Sequence, residues 1–327
     1  MTEAGTQPLV IAHRGASGYL PEHTLAAKAL AHVMGADYIE QDVVLTRDGV
    51  PVVLHDIHLD TTTDVARRFP GRARDDGRFY AIDFSLEEIR QLRVHERSKL
   101  DDHDREVAVF PGRFPLIATG MSVPTLAEEI ALIAGLDQSR GRQTGLYVEL
   151  KAPRFHRAAG QDIAKVVLAV LAEQGYADKP RQVFLQCFDD ATLRYLKDGL
   201  NTPLPLIQLI ADPSWGEDSA VDYDHLRSAA GLREIASYAD GIGPWLMHIY
   251  LGKDQQGQAK ISELVENAHA EGLAVHPYTL RSDQLPPGIE HYEELLTLLI
   301  DIAGVDGLFT DFPDTARRYI DQRSTAR

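Results

Sequence analysis

At 327 residues, 44% of them hydrophobic, the chain can bury a full core and has the length of one large domain or two ordinary ones. Its formal net charge of −16 argues against a nucleic-acid partner, since such proteins display basic surfaces, and no run reaches the ~20 apolar residues of a membrane span. A single cysteine, Cys187, excludes an internal disulfide and a cysteine-built zinc cluster; its apolar surroundings predict a packed strand residue.

The first ten residues lack the charged and apolar regions of a secretory leader, so Met1 is either the native start of a cytoplasmic protein or the replacement for a leader removed from an exported one. An apolar strand at 9–13 runs into His13, Arg14 and a glycine loop before a helix starts near Thr24. Further strands are predicted at 37–45, 146–150, 183–188, 204–210, 240–244, 273–279 and 306–311, with amphipathic helical segments between them. Several of these segments close on Gly35, Gly175, Gly272 or Gly304, as helix C-caps do. Strand and helix alternating eight times predicts an α/β fold, a (β/α)₈ TIM barrel forming a single domain over 1–327. The GxGxxG fingerprint of an open doubly wound sheet is missing after the first strand. From 57 to 122 the alternation stops and both signs of charge crowd together, which predicts a small inserted subdomain after the second strand and its hairpin. Its charges read as a solvated face, and its leading part is placed to roof a pocket.

Barrel enzymes build their sites at the carboxyl ends of the strands. Those ends offer His13 and Arg14, Glu40 and Asp42, Glu149 and Lys151, and Asp306 and Asp311. Glu40 and Asp42, two apart on one strand, leave the same face and converge. Two readings fit: a hard cation such as Ca²⁺ or Mg²⁺ held with Glu149, or a salt-bridge network with Arg14 and Lys151. Asp48-Gly49 is a two-residue hairpin signal that sets Thr46 against Pro51 and Asp42 against His55, with a bulge near Pro51 able to move the register by one. His55 thereby returns to the carboxylates, and with His13 makes a general acid and base pair. The planar fork of Arg14 suits an oxyanion such as phosphate.

The motifs "AHRG…PEHT…EQDVVLTRDGVPVVLHD", "VELK" and "DGLFTDFP", in this order, resemble those of the glycerophosphodiester phosphodiesterase family. The insertion, and His23 where the wider family commonly has Asn, are similar to its longer bacterial periplasmic subgroup. The resemblance implies hydrolysis of glycerophosphodiesters, the deacylated phospholipids, to glycerol 3-phosphate and an alcohol. It implies a divalent metal, Ca²⁺ ahead of Mg²⁺, on Glu40, Asp42 and Glu149, with His13 and His55 as the acid–base pair. Arg14 and Lys151 would hold phosphate oxygens, and Glu22 would sit beside them orienting a histidine. Phe188 and Tyr278 would form an apolar wall, Tyr278 standing where many relatives carry Trp; Phe188 reads equally as a core aromatic. Asp306 and Asp311 read as structural, a turn residue and a helix start. The alternatives are a phospholipase acting on intact lipid and a binding protein that uses the insertion as its contact surface; an acidic chain without a clear basic patch or apolar rim disfavours the lipase. The expected partner is a small-molecule glycerophosphodiester, with no nucleic acid, no integral membrane segment and the oligomeric state open. The compartment follows Met1: periplasmic by resemblance if it replaces a cleaved signal, cytoplasmic if it is the native start.

Overall fold

The structure, a computed structural model, describes residues 7–325 with the exception of 104, 118 and 218. Its strands are β1 (Leu9–Ala12), β2 (Tyr38–Leu45), β3 (Pro51–Val53), β4 (Ser98–Leu100), β5 (Glu106–Ala108), β6 (Gly145–Leu150), β7 (Val183–Cys187), β8 (Leu206–Ile210), β9 (Gly241–Pro244), β10 (Tyr250–Lys253), β11 (Ala259–Ile261), β12 (Ala274–Val275) and β13 (Gly307–Thr310). Eight of them form a parallel ring in the order β12-β9-β8-β7-β6-β2-β1-β13. The ring closes between β12 and β13, where Asp306 N donates to Val275 O at 3.0 Å and Phe309 N to Pro277 O at 3.0 Å. This is the α/β barrel that the alternation of strands and helices predicts.

Strands β2 and β6 are buried along nearly their whole length because helices cover one side and the barrel interior lies on the other. The interior is plugged by Ile11, Tyr147, Ile207 and Phe309, all at most 1% exposed, with the Tyr147 and Phe309 rings 4.8 Å apart. A filled interior leaves space for a ligand only above the strand ends. Cys187 is buried, and its Sγ lies 3.3 Å from Leu150 O, as a packed strand residue. Among the described residues no helix is long and apolar enough to cross a membrane.

Two strand expectations need correction. The hairpin pairs Leu45 with Pro51 and Val43 with Val53, so Asp42 faces Leu54 and not His55. The loop holds three residues because Thr46 N bonds Val50 O at 3.0 Å while Gly49 sits at φ 76°, the left-handed residue that a three-residue hairpin loop requires. The strand expected over 273–279 is regular only in β12, because Pro277 has no N–H to donate. Pairing with β9 nevertheless continues around it, through His276 N to Ile242 O and Tyr278 N to Pro244 O.

The 57–122 segment contains the β4–β5 hairpin and short helices such as Val65–Arg68 and Leu86–Ile89, the latter with a Ser85/Glu88 capping box. Its Leu59, Val65, Phe84, Ile89 and Leu92 are fully buried against Val44, Val52 and Leu54. Alternation along β2 explains this: Val43 and Leu45 face the main core, and Val44 between them faces the insertion.

Candidate active site

The loop after β1 brings four site groups to one place. His13 N donates to Thr310 O at 3.0 Å, which extends β1 along β13. Arg14 follows at φ 59°, and Gly15 at φ 85° lies so close to the next helix that a Cβ would stand 2.8 Å from the Ala27 carbonyl carbon. Only glycine fits that crossing. The turn aims the Arg14 backbone N–H at Glu40 Oε2, 2.7 Å away, while Gln186 Nε2 donates to Glu40 Oε1 at 3.1 Å.

Glu40, Asp42 and Glu149 each offer an oxygen, all within 4.8 Å of one another, and all three are at most 5% exposed. Burial, and next Asp42, push Glu40 well above the usual carboxylate range. Burial lifts Glu149 to about 8 against the pull of Lys151, whose Nζ is 2.7 Å from Glu149 Oε1. Asp42 also suffers burial, but His23, 2.7 Å from its Oδ2, holds it well below the usual range. Its Oδ1 is buried without a hydrogen-bond partner. An orphaned carboxylate oxygen in a cage of mutually repelling carboxylates fits a hard divalent cation, because a cation satisfies the first and removes the second. Arg14 Nε lies 3.5 Å from Asp42 Oδ2, so the cage and the salt-bridge network coexist.

The two imidazoles flank this cage in a shared cavity of about 290 Å³. His13 Nδ1 is 2.6 Å from Asp311 Oδ1, and His55 Nδ1 is 2.5 Å from Asp56 Oδ1. A carboxylate only accepts, so each Nδ1 carries the hydrogen and each Nε2 is turned to the cavity, that of His13 with Thr279 Oγ1 3.5 Å away. His13 Nε2 stands 3.9 Å from Glu40 Oε2. Burial, with Arg14 adding to it, lowers both histidines to about 4, so both are neutral at pH 7.

Of the residues expected at the site, His13, Arg14, Glu40, Asp42, His55, Glu149, Lys151, Phe188 and Tyr278 all line the cavity. Glu22 does not line it, although it sits in the loop beside Arg14 as its motif implies. Its oxygens accept from Arg14 Nη1 at 3.1 Å and from Arg97 Nε and Nη2 at 2.9 and 2.7 Å, so Glu22 stands behind Arg14 as its counter-charge. Asp311 is more than a helix start, since it binds His13. Asp306 lies at the amino end of β13, where its carboxylate accepts from Val275 N at 2.8 Å and serves the fold. Asp56, Gln186, Trp215, Glu217, Trp245, Thr279 and Arg281 complete the surroundings and were not singled out from the sequence. Gln186, a polar residue within an apolar strand, and the only two tryptophans, each following a strand, are the signals that could have found three of them. The Trp215 ring is 5.1 Å from Trp245 and 6.4 Å from Tyr278, so indoles from two other loops fill the wall beside Tyr278.

A cage of carboxylates set beside two cations and two neutral imidazoles is suited to a phosphate ester, and on a barrel of this kind it defines a phosphodiester hydrolase. The family model for the glycerophosphoryl diester phosphodiesterase family matches residues 13–315, and the chain belongs to that family. It is 41% identical to a glycerophosphodiester phosphodiesterase of Haemophilus influenzae, over 98% of this chain and 91% of that protein. With a Treponema pallidum glycerophosphodiester phosphodiesterase it shares 36% identity over 96% and 92% of the two chains. A provisionally assigned glycerophosphoryl diester phosphodiesterase from Silicibacter pomeroyi DSS-3 superposes with a TM-score of 0.73 at 27% identity, covering 98% of this chain and 95% of that one. The chain is therefore an enzyme, a phosphoric diester hydrolase acting on glycerophosphodiesters.

Proposed function

We propose that the enzyme splits deacylated phospholipids into glycerol 3-phosphate and an alcohol, with a divalent cation on Glu40, Asp42 and Glu149 and with His13 and His55 as the acid–base pair. The observation that carries this reading is the meeting, in one cavity, of a buried three-carboxylate cage and two imidazoles whose Nδ1 atoms are both engaged. A bound cation would neutralise charge developing on a phosphoryl oxygen and on the attacking hydroxyl. Arg14 and Lys151 hold the remaining phosphate oxygens and set the phosphorus between the histidines. One imidazole takes the proton of the attacking hydroxyl, whether of glycerol or of water, and the other gives a proton to the departing alcohol. The pair needs one proton between them, and an anionic diester arriving beside two neutral imidazoles favours its uptake. All-oxygen donors admit either hard ion; Ca²⁺ is placed ahead of Mg²⁺ on the resemblance to the periplasmic subgroup.

The aromatic wall supports an alcohol that bears a cation. Phe188, Trp215, Trp245 and Tyr278 present ring faces and edges on one side of the cavity, with the Glu217 carboxylate among them. Such a setting favours an ammonium group by about 0.5–2 kcal/mol per good contact. Glycerophosphocholine is accordingly expected to be turned over with a higher kcat/KM than glycerophosphoglycerol, and Trp215→Ala is expected to shrink the ratio.

Release of glycerol 3-phosphate from glycerophosphocholine, assayed with EDTA and then with Ca²⁺ or Mg²⁺ added back, tests the main reading. EDTA is expected to abolish release and Ca²⁺ to restore it more fully than Mg²⁺. Full turnover in EDTA would remove the cation from this reading.

A further inference from the structure

Among the described residues the insertion contributes none to the lining of the cavity, yet it reaches the site from behind at two points, and both points are carboxylates that hold a histidine. In the His55–Asp56 pair, Asp56 Oδ1 takes the imidazole and Oδ2 accepts from Arg97 Nη1 at 2.7 Å. In the His13–Asp311 pair, Asp311 Oδ1 takes the imidazole and Oδ2 accepts from Arg113 Nη2 at 2.7 Å and from Arg281 Nε, outside the insertion, also at 2.7 Å. The two pairs stand on different strands and share no residue, so the same arrangement arises twice. Both arginines are well covered, with side chains 15% and 4% exposed. Each is also held by a second carboxylate: Arg97 through Nε and Nη2 by Glu22, which it shares with Arg14, and Arg113 by Asp283, through Nε at 2.7 Å and, at 3.0 Å, through the same Nη2 that meets Asp311.

We propose that Arg97 and Arg113 are positioning residues, and that the insertion is the clamp that sets both histidines for proton transfer. This rests on the acid–base reading of His13 and His55. A carboxylate bonded at one oxygen alone can rotate about its Cβ–Cγ bond and carry the imidazole with it. A guanidinium on the second oxygen, acting beside Thr61 Oγ1 at Asp56 and beside Arg281 Nε at Asp311, completes the setting of the carboxylate plane, and with it the ring orientation and the Nδ1–H tautomer that leave Nε2 on the cavity side. Arg97 does this for His55 while its remaining nitrogens rest on Glu22. Lysine could not replace it, since a compact ammonium does not span Glu22 and Asp56 with a planar fork. The clamp also gives the inserted chain a role that its distance from the substrate conceals.

The test compares Arg97→Gln and Arg113→Gln with wild type on two substrates, glycerophosphocholine and the p-nitrophenyl ester of glycerol phosphate, at saturating Ca²⁺. The departing choline needs a proton, whereas p-nitrophenolate leaves without one. Both variants are expected to lose ~10- to 100-fold in kcat on glycerophosphocholine with KM changed less than about threefold, the scale of a misplaced acid or base. On the p-nitrophenyl ester one of the two losses is expected to shrink to within about threefold, which marks the arginine behind the general acid, and the other to persist. Losses that are equal on both substrates for both arginines, or that appear in KM, would reduce them to structural ion pairs and overturn the proposal. Wild-type kcat in both variants would overturn it as well. Should either variant fail to fold, Thr61→Val loosens Asp56 Oδ2, which accepts from Thr61 Oγ1 at 2.6 Å, and Asp283→Asn loosens Arg113 while Asp311 keeps its charge. His13→Ala and His55→Ala, run beside them, separate the two failures: turnover surviving there sinks the acid–base reading, whereas turnover lost there but kept in the arginine variants sinks only the clamp.

Discussion

On the proposed acid–base mechanism, His13 and His55 would owe their reactivity to two things at once, a neutral ring and a fixed one. Burial keeps each unprotonated down to about pH 4, and Asp311 and Asp56 fix which nitrogen carries the hydrogen. Replacing either by alanine is expected to lower kcat by ~10² or more, the usual size of an acid–base contribution, with the far-ultraviolet spectrum of the barrel retained; steady-state assays beside circular dichroism check both halves. The histidines and the three carboxylates were legible because each falls at a strand end, where period-two alternation says which residues share a face. Their partners were not. Asp311 pairs with a residue at the other end of the chain, and a carboxylate before Phe312-Pro313 has an equally good local explanation as a helix start. For Glu22 the converse holds: its nearness in sequence to the histidine motif says nothing of Arg97, which comes from the 57–122 segment and bonds it.

Among the elements, the β2–β3 hairpin shows how a local signal can be right in kind and wrong by one residue. Asp-Gly marks the turn, but Thr46 Oγ1, accepting from Val50 N at 3.0 Å, closes a loop one residue longer than the shortest form. Gly49 stands at φ 76° with nothing within 4 Å of where a Cβ would be, so Gly49→Ala meets backbone strain and no clash. The expected cost is about 1 kcal/mol in a urea titration, with kcat unchanged because the loop lies at the far end of the hairpin from His55. The parallel strands were legible as apolar runs. The short helices of the 57–122 segment were not, since Val65–Arg68 and Leu86–Ile89 are single turns, too brief for a 3.6-residue period to show.

For the molecule as a whole, buried neutral histidines are expected to contribute to the loss of stability in acid. His276, inside the barrel and 2.9 Å from the Tyr147 hydroxyl, is pushed down to about 4 by burial. Below its ordinary value of about 6.5 the unfolded chain takes up a proton that the folded chain refuses until about pH 4, so acid favours unfolding across that window. Stability from this group is complete above pH 6.5 and falls as the pH drops from 6.5 to 4, by roughly 1.4 kcal/mol per unit. Urea midpoints followed over that range are expected to decline, and to decline less steeply in His276→Gln. The ring order of the strands has a further consequence. His13 and Asp311 lie 298 positions apart, and their contact spans the junction of the first and last strands. A growing chain that has emerged from the ribosome up to β12 holds the cage, both cationic side chains and the first histidine, yet that histidine has no carboxylate to set it. If His13 is the acid or base proposed, turnover is expected to begin only when the last strand docks, so the appearance of product during synthesis would time the completion of the barrel.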